Sequence, residues 1–106
     1  MTIFRTDSHV IRGFRCRGHA GFAEYGQDIV CAAVSILVIN TLNSIQRFLP
    51  EDRMTITSDE EEGLIECHFS QEPSDKCRLL LDTMIFGIEE VAKVHTEFVK
   101  LQEKRV

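Results

Sequence analysis

The sequence predicts an α+β fold, a small two-layer sandwich with the element order ββαββα. Four short segments carry the alternating or β-branched apolar residues of strands, and two longer segments carry the apolar spacing of helices. The strands come in two pairs, each joined by a short turn, and this arrangement favours antiparallel pairing. We therefore expect a mainly antiparallel sheet packed against a central apolar helix and a C-terminal helix.

The first strand pair is predicted at residues Thr2–Thr6 and Val10–Gly18, joined by an Asp-Ser turn. In the second of these strands, Phe14 and Cys16 alternate with two arginines. Alternation of this kind gives a strand one buried face and one solvated face. We therefore expect Phe14 and Cys16 to point into the core.

The central helix is predicted at residues Asp28–Phe48 and is stopped by Pro50. Its first half, with the sequence IVCAAVSILVI, has almost no charge. A helix that is apolar nearly all round must be covered by the rest of the fold. This segment is therefore the predicted core helix.

The second strand pair is predicted at residues 54–58 and 64–69, joined by the acidic, glycine-ended turn DEEEG. Ser74 is the predicted N-cap of the final helix, with Asp75 in its first turn. The later part of the final helix is predicted to carry a charged, solvated face that includes Glu97 and Lys100. Its predicted apolar stripe consists of Cys77, Leu80, Leu81, Met84, Ile85, Ile88, Val91 and Ala92.

Length and composition indicate one domain over residues 1–106, with 43% hydrophobic and 27% charged residues. The net charge of -5 disfavours nucleic acid as a partner, because binding to phosphate backbones needs clustered Lys and Arg. The apolar run Ile29–Ile39 is too short to span a bilayer, and no export signal is apparent. We therefore expect a cytoplasmic protein without a membrane partner, whose four cysteines form no disulfides.

Cys31 lies where a glycine-containing loop becomes the central helix. Asp28 is the predicted N-cap, which would place Cys31 at about the third helical position. Free amides and the helix dipole favour a negative group there, so we expect the thiolate form of Cys31 to be stabilised. The alternative is that Cys31 is a small core residue, as cysteines often are.

His19 ends the second predicted strand and could fold back over the helix N-terminus. A cysteine beside a histidine can form an ion pair, attack a carbonyl, and pass a proton to the leaving amine. Ser35 lies one turn beyond Cys31 on the same helix face. Its hydroxyl could orient the groups of the site, or it could donate a hydrogen bond to a nearby carbonyl. Gly18, Gly21 and Gly26 would let the backbone approach a substrate, or they are plain turn residues.

The run from Gly18 through His19 and Ala20, followed by GQDIVCAAVS at residues 26–35, resembles the signature of the ribosomal-processing cysteine protease family, Prp. The resemblance covers the chain in length and in element order. It implies that His19 is the catalytic histidine and Cys31 the nucleophile, with Asp28 and Ser35 in supporting roles. Asp28 is either a third catalytic member or a helix cap, and we favour a cap that also orients the site.

The resemblance further implies removal of the N-terminal extension of the large-subunit ribosomal protein L27, in support of ribosome assembly. It implies a small α+β sandwich that forms a homodimer and uses no cofactor or metal. Phe22 and Tyr25, in the loop, are candidate substrate contacts, with packing on the core as the alternative.

Three other functions compete with the protease hypothesis. A zinc site would use Cys16, His19, Cys67 and His68, but adjacent residues of a strand point to opposite faces. A noncatalytic redox-sensing or ribosome-assembly module would use Cys31 as an oxidisable thiol, although no resolving cysteine is near it in sequence. RNA binding is disfavoured by the acidic composition.

Overall fold

The computed structural model describes residues 1–17 and 27–106, with Gln27 and Asp28 described as helical backbone only. Within these ranges the chain forms five strands and two helices. The predicted ββαββα order is confirmed, and a short strand follows it. The elements are β1 (Thr2–Arg5), β2 (Ile11–Arg17), α1 (Gln27–Phe48), β3 (Met54–Asp59), β4 (Leu64–Phe69), α2 (Asp75–Val94) and β5 (Gln102–Arg105).

The strands form one sheet in the order β3-β4-β2-β1-β5. All neighbouring pairs are antiparallel except β1 and β5, which are parallel. Phe14 of β2 lies opposite Cys67 of β4 and Ile3 of β1, so these three side chains share one face. All three are buried, which makes this the inner face of the sheet.

Both helices pack on the inner face, and this confirms the predicted two-layer α+β architecture. Residues of the sheet and of both helices belong to one buried cluster, as expected for a single hydrophobic core. The two helices also contact each other, and Gly87 of α2 lies close to Leu37 of α1. The largest fully buried side chains are Phe14, Ile45, Leu81, Met84, Ile88 and Val38.

The helix α1 begins at Gln27, one residue before the predicted start at Asp28. Cys31 is therefore the fifth residue of α1 rather than about the third. Only the first four amides of a helix lack an intrahelical acceptor, so Cys31 lies just past the region where the helix dipole acts most strongly. Asp28 is the second residue of α1, and an N-cap residue precedes the first helical residue, so the prediction that Asp28 is the N-cap was wrong.

The helix α2 begins as predicted and ends earlier than predicted. The Ser74 hydroxyl accepts a hydrogen bond of 3.2 Å from the amide of Cys77, which confirms Ser74 as the N-cap. The helix ends at Val94, so the prediction that Glu97 and Lys100 lie on its solvated face was wrong. The chain turns after the helix and returns beside β1.

The apolar part of α1 is longer than the run Ile29–Ile39 read from the sequence. The segment Ile29–Phe48, of 20 residues, is long and apolar enough to cross a membrane by length and composition alone. A core helix of a two-layer fold has the same composition. Val34, Val38 and Ile45 of this segment are buried in the common core, and this favours a core helix.

Candidate active site

The helix α1 places Cys31 on the side that faces the sheet. Val34 and Val38 follow Cys31 by three and seven residues, and residues with this spacing lie on the same face of a helix. Both valines are buried, whereas Cys31 is only half-buried. Val30, one residue nearer the helix start, is also buried, so Cys31 lies at the edge of the buried stripe.

A cavity of about 270 Å³ lies beside Cys31. Its walls come from the start of α1, the end of β2, the start of β4, the segment 97–100 and Met1. The apolar lining consists of Val30, Val34, Val38, Ile65, Phe98 and Val99. An apolar cleft with a few polar groups is the usual form of a small-molecule or peptide side-chain site.

The polar groups of the cavity are few. Ser35, one turn beyond Cys31 on α1, also lines it, so the structure brings these two predicted residues together. Arg17, Glu97 and Lys100 contribute charged groups. The cavity thus combines two thiols, those of Cys31 and Cys16, with a hydroxyl, an apolar wall and charges of both signs.

The four cysteines occupy different environments. Burial raises the pKa of the Cys67 thiol to about 12, with a further contribution from Cys77. Burial, together with the charge of Asp52, raises the pKa of Cys77 to about 12 as well. Both side chains are fully buried in the core and remain protonated near neutral pH. Their predicted role as small core residues is confirmed.

Cys16, also predicted to be a small inward-pointing residue, has a second property that the sequence did not indicate. It packs against the core but also lines the cavity together with Cys31. Burial raises the pKa of the Cys16 thiol, the N-terminal ammonium lowers it in part, and the charge of Cys31 raises it further. The two thiols are therefore electrostatic neighbours.

Several predicted site residues lie outside the described part of the chain. These are Gly18, His19, Gly21, Phe22, Tyr25 and Gly26, and the side chain of Asp28 is likewise not described. The placement of these side chains relative to Cys31 stays a prediction.

Sequence reasoning missed the segment 97–100 as a wall of the cavity. From the sequence, Glu97 and Lys100 are predicted to lie on the solvated face of the last helix, because charged residues follow its apolar stripe. No glycine or proline marks the true end of the helix. The signal was therefore absent from the local sequence.

Of the four residues of the zinc alternative, His19 lies outside the described part of the chain, and Cys67 and His68 point to opposite faces of β4. Cys67 points into the core, whereas His68 is exposed on the opposite face of β4. Among the described side chains, those of residues 1–17 and 29–106, no three His, Cys, Asp or Glu are grouped to hold a metal ion.

The family model for cysteine protease Prp matches residues 1–100. The chain belongs to this family. The Staphylococcus aureus ribosomal processing cysteine protease Prp is 31% identical over 87 residues, which are 82% of this chain and 81% of that protein. The Bacillus subtilis Prp is 32% identical over 96 residues, which are 87% of this chain and 85% of that protein.

Crystal structures of Prp from S. aureus have the same fold. The complex with a substrate peptide superposes with a TM-score of 0.90 at 26% identity, over 97% of this chain and 96% of that chain. The complex with a covalently linked product peptide gives a TM-score of 0.85 at 27% identity, with the same coverage. This member of the Prp family is therefore a cysteine protease, and the noncatalytic alternative is set aside.

Proposed function

We propose that this Prp family member removes the N-terminal extension of the ribosomal protein L27 in the cytoplasm, with Cys31 as nucleophile and His19 as general acid and base. The observation that carries the proposal is the position of Cys31, a half-buried thiol at the mouth of an apolar cavity on α1. The S. aureus and B. subtilis relatives are ribosomal processing proteases, which supports the substrate class.

The proposed reaction has two steps. The thiolate of Cys31 attacks the carbonyl carbon of the scissile peptide bond, and the carbon–nitrogen bond breaks to leave a thioester on sulfur. His19 takes the proton of the thiol and gives it to the leaving amine. Water then attacks the thioester, which releases the acyl product and regenerates Cys31. The covalently linked product peptide of the S. aureus enzyme is consistent with such an intermediate.

The cavity has a defined part in this proposal. Its apolar wall, formed by residues of α1, β4 and the segment 97–100, lies directly beside the nucleophile. A bulky apolar side chain of the peptide, placed in the cavity, would hold the neighbouring peptide bond against the sulfur atom. Such positioning of reacting groups is a large contribution to catalysis.

The test is cleavage of a synthetic peptide that spans the L27 extension and its cut site, followed by mass spectrometry. We expect one pair of products from the unmodified protein. Cys31→Ala and His19→Ala are expected to lower kcat/KM by about 100-fold or more. Cys77→Ala is the matched control, since it removes a thiol from the core and is expected to keep cleavage per folded molecule. Undiminished cleavage by Cys31→Ala would show that another group is the nucleophile.

We also propose that the protein is a homodimer. The helical layer exposes large apolar side chains, among them Ile36 of α1 at 68% and Phe86 of α2 at 62%. A contiguous apolar patch formed by such side chains would be typical of a surface that a partner covers. Light scattering of the purified protein measures the mass directly, and a mass of one chain at assay concentration would contradict the proposal.

A further inference from the structure

Cys16 and Cys31 face one cavity although they belong to different elements. Cys16 follows the buried Phe14 by two residues on the inner face of β2, and Cys31 lies on the sheet-facing side of α1. Both side chains are half-buried and both line the cavity of about 270 Å³. The effect of Cys31 on the pKa of Cys16 agrees with this proximity.

Both cysteines also lie near the ends of their elements. Cys16 is the last residue but one of β2, and Cys31 is the fifth residue of α1. Local opening of a fold requires the least free energy near the ends of its elements. The backbone adjustment that a disulfide demands is therefore easier at these two positions than in the middle of the sheet or helix.

The other two thiols do not compete for oxidation. Cys67 and Cys77 are fully buried, and burial holds the pKa of each at about 12. Oxidation of cysteine follows thiolate character and exposure. Cys16 and Cys31, which are half-buried and share one cavity, are accordingly the two thiols open to peroxide.

We propose that Cys16 is the resolving thiol for Cys31, so that peroxide converts the pair into a disulfide that reversibly blocks the protease. The loss of activity rests on the proposed role of Cys31 as nucleophile, whereas the disulfide itself does not. This bond would occupy the sulfur that attacks the substrate. It would also protect Cys31 from irreversible oxidation.

In the proposed reaction a peroxide is the oxidant that converts the two thiols into a disulfide. The Cys31 thiolate attacks one peroxide oxygen, the oxygen–oxygen bond breaks, and hydroxide leaves, so that Cys31 becomes a sulfenic acid. The sulfur of Cys16, after losing its proton, attacks the sulfur of Cys31. A sulfur–sulfur bond forms as the sulfur–oxygen bond breaks, and the oxygen leaves as water. A dithiol reverses the bond by exchange.

The first test uses the unaltered protein and needs no activity measurement. Reduced protein is treated with hydrogen peroxide, its free thiols are blocked, and it is digested with trypsin without reductant. Because Arg15 and Arg17 flank Cys16, the expected product is the dipeptide Cys16-Arg17 linked to the peptide that ends at Arg47. Its absence, with Cys31 carried to the sulfinic acid instead, would overturn the proposal.

The second test compares recovery of peptide cleavage after peroxide, with each variant normalised to its own initial activity. The unmodified protein and the control Cys77→Ala are expected to regain most activity with dithiothreitol. Cys16→Ala is expected to regain less than about half, because without a resolving thiol Cys31 proceeds to the sulfinic acid, which dithiothreitol does not reduce. Equal recovery in all three would contradict the proposal. A third outcome separates the two proposals. If the linked peptide forms but peroxide does not reduce peptide cleavage, the disulfide is supported and the proposed role of Cys31 as nucleophile is refuted.

Discussion

At the scale of single residues, environment separates four chemically identical thiols. Two lie in the core with a pKa of about 12 and act as small apolar residues, whereas Cys31 lies at a cavity. Cysteine reactivity is governed by ionisation and access rather than by residue type. The assignment of Cys31 as the reactive thiol therefore depends on where α1 begins and which way it faces.

Glu66, on the outer face of the sheet, is expected to make the stability of the fold depend on pH. Burial raises the pKa of Glu66, but hydrogen bonds from His68 and Arg15, each at 3.2 Å, outweigh this and lower it overall. A carboxylate with a lowered pKa stabilises the fold above its unfolded pKa of about 4.3, and this contribution disappears as the pH falls through the folded pKa.

We therefore expect Glu66→Gln to reduce the free energy of unfolding at pH 7 by about 0.5 to 1 kcal/mol, a range suited to a partly exposed group. At a pH below the folded-state pKa of Glu66, where the carboxyl group is protonated, the difference should be close to zero. Urea unfolding at both pH values measures it. Glu62→Gln, which removes an exposed ion pair with Arg17, is the matched control and should change less. An equal effect of Glu66→Gln at both pH values would exclude the ionic contribution.

At the scale of elements, strong periodic patterns predicted all four principal strands and both helices. The prediction missed β5 and the end of α2. The strand β5 has the sequence QEKR, in which every residue is exposed, so it has no apolar alternation to detect. It forms because its backbone pairs with β1, and pairing with a distant strand is not visible in local sequence.

The residues of the candidate site, like the elements of the fold, could be predicted only in part from the sequence. Helical spacing and a known motif marked Cys31 and Ser35, and both line the cavity, while their roles in the reaction stay predictions. The contact of Cys16 with the same cavity was not found, because strand periodicity gives the face of a residue but not what packs above it. Packing of α1 over the end of β2 brings the two cysteines together, and this is a property of the assembled layers.

Two glycines, Gly13 in β2 and Gly87 in α2, differ in how much room their surroundings leave for a side chain. A side chain on Gly13 of β2 would collide with the backbone carbonyl of Cys67 in the neighbouring strand, which cannot move without disturbing the ladder. A side chain on Gly87 of α2 would meet only the side chain of Leu37, at 3.2 Å, which can rotate.

We expect Gly13→Ala to lower the free energy of unfolding by about 2 kcal/mol, in the range for overpacked sites. Gly87→Ala should change it by less than about 1 kcal/mol, because the gain in helix propensity offsets the displacement of Leu37. Chemical denaturation followed by circular dichroism measures both. The packing argument fails if Gly13→Ala is as stable as the unmodified protein.

At the scale of the whole molecule, the end of the chain returns to its beginning, and the segment 97–100 forms one wall of the cavity. The N-terminal ammonium of Met1 donates a hydrogen bond of 2.6 Å to the carbonyl of Lys100, and the amide of Gln102 donates one of 3.0 Å to the carbonyl of Met1. These bonds hold the segment 97–100 against the cavity. The buried cluster itself lies between Ile3 and Ile88 and does not depend on β5.

Deletion of residues 102–106 is therefore expected to leave the protein folded but to lower kcat/KM for peptide cleavage by about 10-fold, because the cavity loses the support of one wall. Circular dichroism measures whether the shortened protein is folded, and steady-state kinetics measures kcat/KM for the peptide. Arg105→Ala, which removes only the exposed ion pair with Asp7, is the control. Unchanged kcat/KM in the deletion would mean that this segment does not shape the substrate site.

The central claim, that Cys31 attacks a peptide bond held at the cavity, is tested most directly by mass spectrometry of the acyl-enzyme. The protein is mixed with the L27 peptide, quenched in acid within one turnover, and digested. We predict that the N-terminal product is linked through a thioester to the peptide containing Cys31. An adduct on another residue, or cleavage through no covalent intermediate under conditions that preserve thioesters, would contradict the mechanism.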